Sequence, residues 1–231
     1  MKSLIITMSK NDVSTFGTKR CIESHAKVGN EFDAIMFEAI TGDTAPRVIA
    51  KHNLVWTYPW FQPEYHLKTG LVLTPYKTND RMRRIACFCS HYMLWHFCAE
   101  SDEPIIVLEH DAIWLKKLDV QPLLDSSFGC IGLNDPRGAT RRSSVFHTEL
   151  QSSMTELSLV PTVDDFNVPQ GLAGNSAYLI KPWAAVQLID KVKEIGAWPN
   201  DALMCKQNFD FLGVTKTYYT KTQGLPSTTT L

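Results

Sequence analysis

Two carboxylates at the end of an aliphatic run are the residues of this chain best suited to chemistry. Ile105-Ile106-Val107-Leu108 leads straight into Glu109-His110-Asp111. In an extended chain, side chains two residues apart share a face, so Glu109 and Asp111 are expected to point together while His110 points away. Converging carboxylates repel each other and need a cation or a hydrogen-bonding partner. A hard divalent cation with oxygen ligands, Mn2+ or Mg2+, satisfies both. A nucleoside diphosphate would complete the shell of such a cation and gain charge neutralisation as its leaving group departs. The competing reading is that both residues only cap the turn after a strand.

The elements around this pair read as alternating strands and helices. Leu4 to Met8 is a buried-strand run. Phe16 to Val28 reads as an amphipathic helix ending at Gly29, and Asp33 to Ile40 as a second strand. Strand, helix, strand predicts a parallel sheet. Residues 52 to 76 are rich in aromatics and prolines and read as a packed loop or flap, whose Trp and Tyr either stack on a sugar or base or form a small satellite core. Arg81 to Ala99 is the clearest helix, capped by Asn79 or Asp80 and apolar almost all round after Arg84. Ile105 to Leu108 is the next strand, and in open α/β sheets ligands bind beyond the carboxyl ends of strands. Phe128 to Leu133 and Ser176 to Ile180 are further strands. Residues 134 to 155 read as a mobile polar loop. Pro182 opens a helix that stops at Gly196. Asp201 to Gln207 is a short helix, Leu212 to Tyr219 a last strand, and Pro226 to Leu231 a frayed tail.

The 231 residues suit one domain. A net charge of -1 opposes general nucleic-acid binding. Six cysteines occur without a CxxC pair, which argues against a zinc ribbon and for a reducing, cytoplasmic setting. No run approaches the ~20 apolar residues of a membrane span, so membrane contact would be peripheral.

Ala86 to Trp114, ACFCSHYMLWHFCAESDEPIIVLEHDAIW, resembles the core block of glycosyltransferase family 25, the lipopolysaccharide-type and collagen-type galactosyltransferases. GNEFDAIMFEAITGD, AGNSAYLIKPWAAVQLI, WPNDALM and KTQGLPSTT resemble further pieces of the family in the same order, so the likeness spans roughly residues 4 to 228. Glu109-His110-Asp111 departs from the family's Glu-Asp-Asp but keeps the outer carboxylates. The resemblance implies a GT-A-like α/β fold with a mixed, mostly parallel sheet flanked by helices, its nucleotide-sugar-binding half reaching to about residue 115 and its acceptor-side half running from about 116. It also implies a divalent cation, a nucleoside-diphosphate sugar donor such as a UDP-hexose, and inverting transfer to a glycan or lipopolysaccharide-type hydroxyl.

On that basis Asp111 and Glu109 are the candidate metal ligands. Asp201 is the candidate general base, since inverting transfer needs a carboxylate near the acceptor; the alternative is that it caps a helix. His91 and Ser90, on the long helix, and Asn175 and Ser176, at a strand start, are candidate donor contacts. Their bland readings are a core histidine and a turn. Arg84, Arg141 and Arg142 are candidates for phosphate or acceptor contacts, although charge clusters are usually solvated faces. Two other readings stay open: sugar transfer to a modified base in nucleic acid, motivated by the arginines, and a non-catalytic nucleotide- or sugar-binding protein, motivated by His110.

Overall fold

The computed structural model describes residues 1–138, 142–226 and 228. The chain opens with β1 (Lys2–Thr7), α1 (Asp12–Val28) and β2 (Asp33–Glu38). Helix α1 begins ahead of Phe16 because Asn11 caps it, its side chain accepting from Ser14 N at 2.9 Å. Gly29, at φ 75°, closes it. Next come α2 (Ala45–His52), which the sequence reading missed, and the short antiparallel pair β3 (Glu64–His66) and β4 (Leu71–Leu73). The aromatic stretch therefore carries some regular structure. Its Tyr58, Leu71 and Leu73 join the main core, not a satellite.

Helix α3 (Arg81–Ser101) is capped by Asp80, whose Oδ1 accepts from Met82 N and Arg83 N. It feeds β5 (Ile105–Glu109), followed by β6 (Ala112–Trp114), α4 (Gln121–Asp125) and β7 (Cys130–Gly132). The segment expected to be a polar loop holds α5 (Ser143–Ser152), whose Phe146 and Leu150 are buried one turn apart. Then follow β8 (Leu157–Leu159), β9 (Ala177–Ile180), α6 (Pro182–Ile195), α7 (Asn200–Leu203), β10 (Leu212–Thr215) and β11 (Thr220–Thr222). The expected last strand is two strands, because the chain leaves the main sheet after Thr215 and pairs with β6.

The central sheet has seven strands in the order β2-β1-β5-β9-β7-β10-β8. Strands β1, β2, β5, β7 and β10 run one way, and β8 and β9 run against them. The class is thus a mixed, mostly parallel α/β sheet flanked by helices. Strand β5 lies between β1 and β9 and is covered on both faces. Ile105 and Val107 belong to the core under α3 and α6, Ile106 and Leu108 to the core under α1. Burial on both faces is why the strand reads as an unbroken aliphatic run. Among the described residues, no helix is long and apolar enough to cross a membrane.

The loop before β9 presses on α7. Gly171 bridges Cys205, and a Cβ at Gly171 would collide with the carbonyl oxygens of Met204 and Asp201. Gly171→Ala should therefore lower stability by about 1–3 kcal/mol, the usual cost of overpacking, seen as a lower urea midpoint. An unchanged midpoint would show that the two segments part freely.

Candidate active site

The carboxyl ends of β1, β2 and β5 converge with the start of antiparallel β9 on a cleft of about 740 Å3. The first half of α3, the start of α7 and the chain after β11 complete its walls. Ser90, His91, Glu109, Asp111, Asn175, Ser176, Asp201 and Arg84 all border it, although their positions span much of the sequence. His110 borders it too, against the expected alternation. The reason is that β5 stops at Glu109 and residues 110 and 111 form a turn. Arg142 borders a separate cleft of about 440 Å3, which shares Gly174 and Asp201 with the first. Its guanidinium pairs with Asp164 at 3.1 Å and donates to Val163 O at 3.0 Å. Arg141 and the adjoining residues 139 and 140 lie outside the described residues, as do Ser227 and the last three residues of the expected frayed tail.

A chain of hydrogen bonds runs from the core to Glu109. Trp95 Nε1 donates to the Tyr178 hydroxyl oxygen at 2.9 Å. That hydroxyl lies 2.9 Å from His91 Nδ1, and His91 Nε2 lies 3.1 Å from Glu109 Oε1. All groups are satisfied when Tyr178 donates to Nδ1 and Nε2–H donates to the carboxylate. Trp95, His91 and Tyr178 are buried almost completely, so packing holds the rings in place and keeps water from the inner bonds. His91 is thus a core histidine whose outer nitrogen serves the cleft. The Ser90 hydroxyl accepts from Ile40 N at 2.9 Å and donates to Ala86 O at 3.0 Å, which ties α3 to the end of β2.

The three carboxylates of the cleft differ in electrostatic state. Burial opposes charge on Glu109, but the hydrogen bond from His91, helped by the electrostatic pull of the basic side chains around it, outweighs burial and holds its pKa below the ordinary value. Burial, then the charge on Glu109, pushes Asp111 up to about 7. Asp111 Oδ1 is buried with no hydrogen-bond partner among the described residues. That oxygen does not cap the turn, and its chemistry suits a hard cation. Burial also raises Asp201, against the pull of the Tyr76 hydroxyl, which donates to Oδ2 at 2.9 Å, and of Arg84. Pro199 holds the cap position of α7 without a side-chain bond, and Asp201, inside the first turn, accepts from Ala202 N through Oδ1 at 3.1 Å, so it does bind a backbone N–H of the helix start. Arg84 stacks over the Tyr76 ring at 4.9 Å. Asn175 Oδ1 and Ser176 Oγ are buried at the cleft wall without hydrogen-bond partners among the described residues.

Gln223, the glutamine of the KTQGLPSTT piece, was given no role at the site from the sequence. Its backbone N–H donates to Asp111 O at 2.7 Å. Its side-chain amide donates to Gly17 O at 2.9 Å, Ala112 O at 3.0 Å and His110 O at 3.3 Å. One residue after β11 thereby ties the carboxylate turn to α1. A lone glutamine near the end of a sequence gives no signal of this, because every acceptor is a backbone carbonyl.

The chain matches the model of "Glycosyltransferase family 25 (LPS biosynthesis protein)" over residues 18–204. No curated protein matches it in sequence. Among solved structures, the galactosyltransferase LgtC in complex with donor and acceptor sugar analogues superposes with a TM-score of 0.44 at 10% identity, covering 93% of this chain and 73% of that one. An active-site mutant of LgtC gives 0.46 at 10% identity over 98% and 88% of the two chains. Mouse xyloside xylosyltransferase 1, apo form, gives 0.45 at 9% identity over 91% and 83%.

Tyr178→Phe removes the hydroxyl that Trp95 and His91 share. Leaving buried polar groups unpaired should cost about 1–3 kcal/mol, measured by chemical denaturation; wild-type stability would mean that the chain of bonds is not closed as described. Asp111 makes stability depend on pH. With a folded-state pKa of about 7 against roughly 3.9 in an unfolded chain, the native state binds the extra proton, so stability falls as pH rises from about 4 to about 7. In chelator, the melting temperature of Asp111→Asn should gain on wild type between about pH 5 and about pH 8. A constant gap would show that ionising Asp111 costs nothing.

Proposed function

Because the chain belongs to glycosyltransferase family 25, we propose that it is a sugar-transferring enzyme that moves a hexose, galactose or glucose, from a UDP-sugar to a hydroxyl of a glycan of the lipopolysaccharide type, with inversion at the anomeric carbon. The observation that carries this reading is a single cleft beyond the strand ends that gathers an unpartnered Asp111 oxygen, Glu109 and a proton-hungry Asp201. Asp111 and Glu109 would hold the divalent cation, Mn2+ or Mg2+, which supplies charge neutralisation to the departing diphosphate. The oxygen-only pair suits a hard cation.

The remaining work falls to the protein's own groups. Asp201 takes the proton from the acceptor hydroxyl as its oxygen attacks the anomeric carbon, opposite the leaving nucleotide. Its raised proton affinity suits that task, and Tyr76 fixes the orientation of its carboxylate. Asp201 also stands where the two clefts meet, which fits a base between donor and acceptor. Asn175 and Ser176 supply unspent polar atoms for the donor sugar. Arg84 offers positive charge for phosphate, while Arg142 borders the second cleft, on the acceptor side of this arrangement.

UDP with manganese, at ~100 times its dissociation constant, should stabilise the wild type by about 2.7 kcal/mol, and Asp111→Ala should lose that gain. No gain in the wild type from UDP, GDP or CDP would remove the donor assignment. Asp201→Asn should lower transfer from UDP-hexose by about 10²–10⁴-fold while keeping the manganese-dependent UDP stabilisation. Proton NMR of the product checks the stereochemistry, and a retained anomeric configuration would rule out Asp201 as the base.

A further inference from the structure

The cleft contains a second arrangement of metal-ligand types. Cys87 and His91 lie one turn apart on α3, so their side chains share a helix face. That face looks at the end of β5. Cys87 Sγ, a His91 ring nitrogen and a Glu109 carboxylate oxygen all lie within 4.8 Å of one another, and all three residues border the cleft. The closest pair, His91 Nε2 and Glu109 Oε1, is 3.1 Å apart. Tetrahedral zinc, with bonds of about 2.0–2.3 Å, needs ligand atoms roughly 3.3–3.6 Å apart. One edge is therefore nearly formed, and the sulfur already lies within 4.8 Å of both other ligand atoms. Its recorded side-chain contact is a long 4.0 Å approach to Asn200 Oδ1. The cleft leaves a fourth position for water. The surroundings favour a cation as well, because Asp111 and Asp201 line the same cleft.

The orienting partner is also present. Ligation through His91 Nε2 places the imidazole proton on Nδ1, where the Tyr178 oxygen accepts it. Such partners commonly fix the ring of a metal-bound histidine. A thiolate, an imidazole and a carboxylate together suit zinc, and the sulfur selects against manganese and magnesium.

We propose that Cys87, His91 and Glu109 form a soft-cation site that takes Zn2+, or Co2+ as a spectroscopic stand-in, and that filling it withdraws Glu109 from the hard-cation position beside Asp111. On binding, the Cys87 thiol releases its proton to solvent and its sulfur bonds the metal; no electron is transferred. The competition with manganese rests on the function proposed above, but the soft-cation site does not.

The test is a titration of the full chain with Co2+ alone, in metal-free buffer with a non-thiol reductant. The wild type should develop a near-ultraviolet thiolate-to-cobalt band that saturates at one equivalent and is bleached by Zn2+. Cys87→Ser should abolish the band. Glu109→Gln should weaken Co2+ binding at least 10-fold, and Asp111→Ala should leave the band intact. Thermal melts identify any variant that fails to fold, with Cys87→Ala as the second substitution. No band in the wild type, or the same band in folded Cys87→Ser, overturns the site. In a parallel melt, Zn2+ should cancel the manganese-dependent gain from UDP. A band without any such gain sinks the donor assignment alone, whereas a UDP gain without a band sinks the soft-cation site alone.

Discussion

The hydrogen bond between His91 and Glu109 is the constraint around which the cleft is organised. It crosses from helix α3 to the end of strand β5, and its inner half is sealed in the core through Tyr178 and Trp95. A carboxylate in such surroundings would ordinarily be driven towards its neutral form. The imidazole reverses this for Glu109, and the charge it keeps is felt next door: Glu109 helps raise both Asp111 and Asp201. One buried contact thereby grades three carboxylates. Glu109 is anchored and held in its charged form, whereas Asp111 and Asp201 hold a proton more tightly than a solvated aspartate does. The differences arise from position alone, since the three side chains are chemically almost alike.

The parts of this arrangement that were legible in the sequence were those in which one local pattern carried the whole signal. Strand β5 is buried on both faces and reads as an aliphatic run. Helix α3 is long, capped by Asp80 and apolar, and it was placed within two residues of its end. Residue types at strand ends then brought Glu109, Asp111, Asn175 and Ser176 forward, and the structure gathers them in one cleft.

What the sequence hid depends on partners far along the chain. Helix α5 shows only Phe146 and Leu150 as a buried pair, too brief a period to register against its polar neighbours. Strands β6 and β11 are three residues each and exist because they pair with each other. The expected turning-away of His110 failed because period-two alternation ends where the strand does. The surroundings of Asp201 were hidden as well, because one carboxylate oxygen is held by the helix start at Ala202 N and the other by Tyr76, a residue from another part of the sequence. The grading of the carboxylates was equally invisible, since burial and charge proximity are properties of the assembled core.

Gln223 places a timing condition on the assembly of the cleft. The turn it ties down at His110 was made 113 residues earlier. A chain emerging from the ribosome therefore exposes β5 and its carboxylates well before the residue that braces them exists. Closing so long a loop is a late event in folding, because its entropy must be lost before the contact is gained. The carboxylate turn is thus braced only once the segment after β11 has joined the fold.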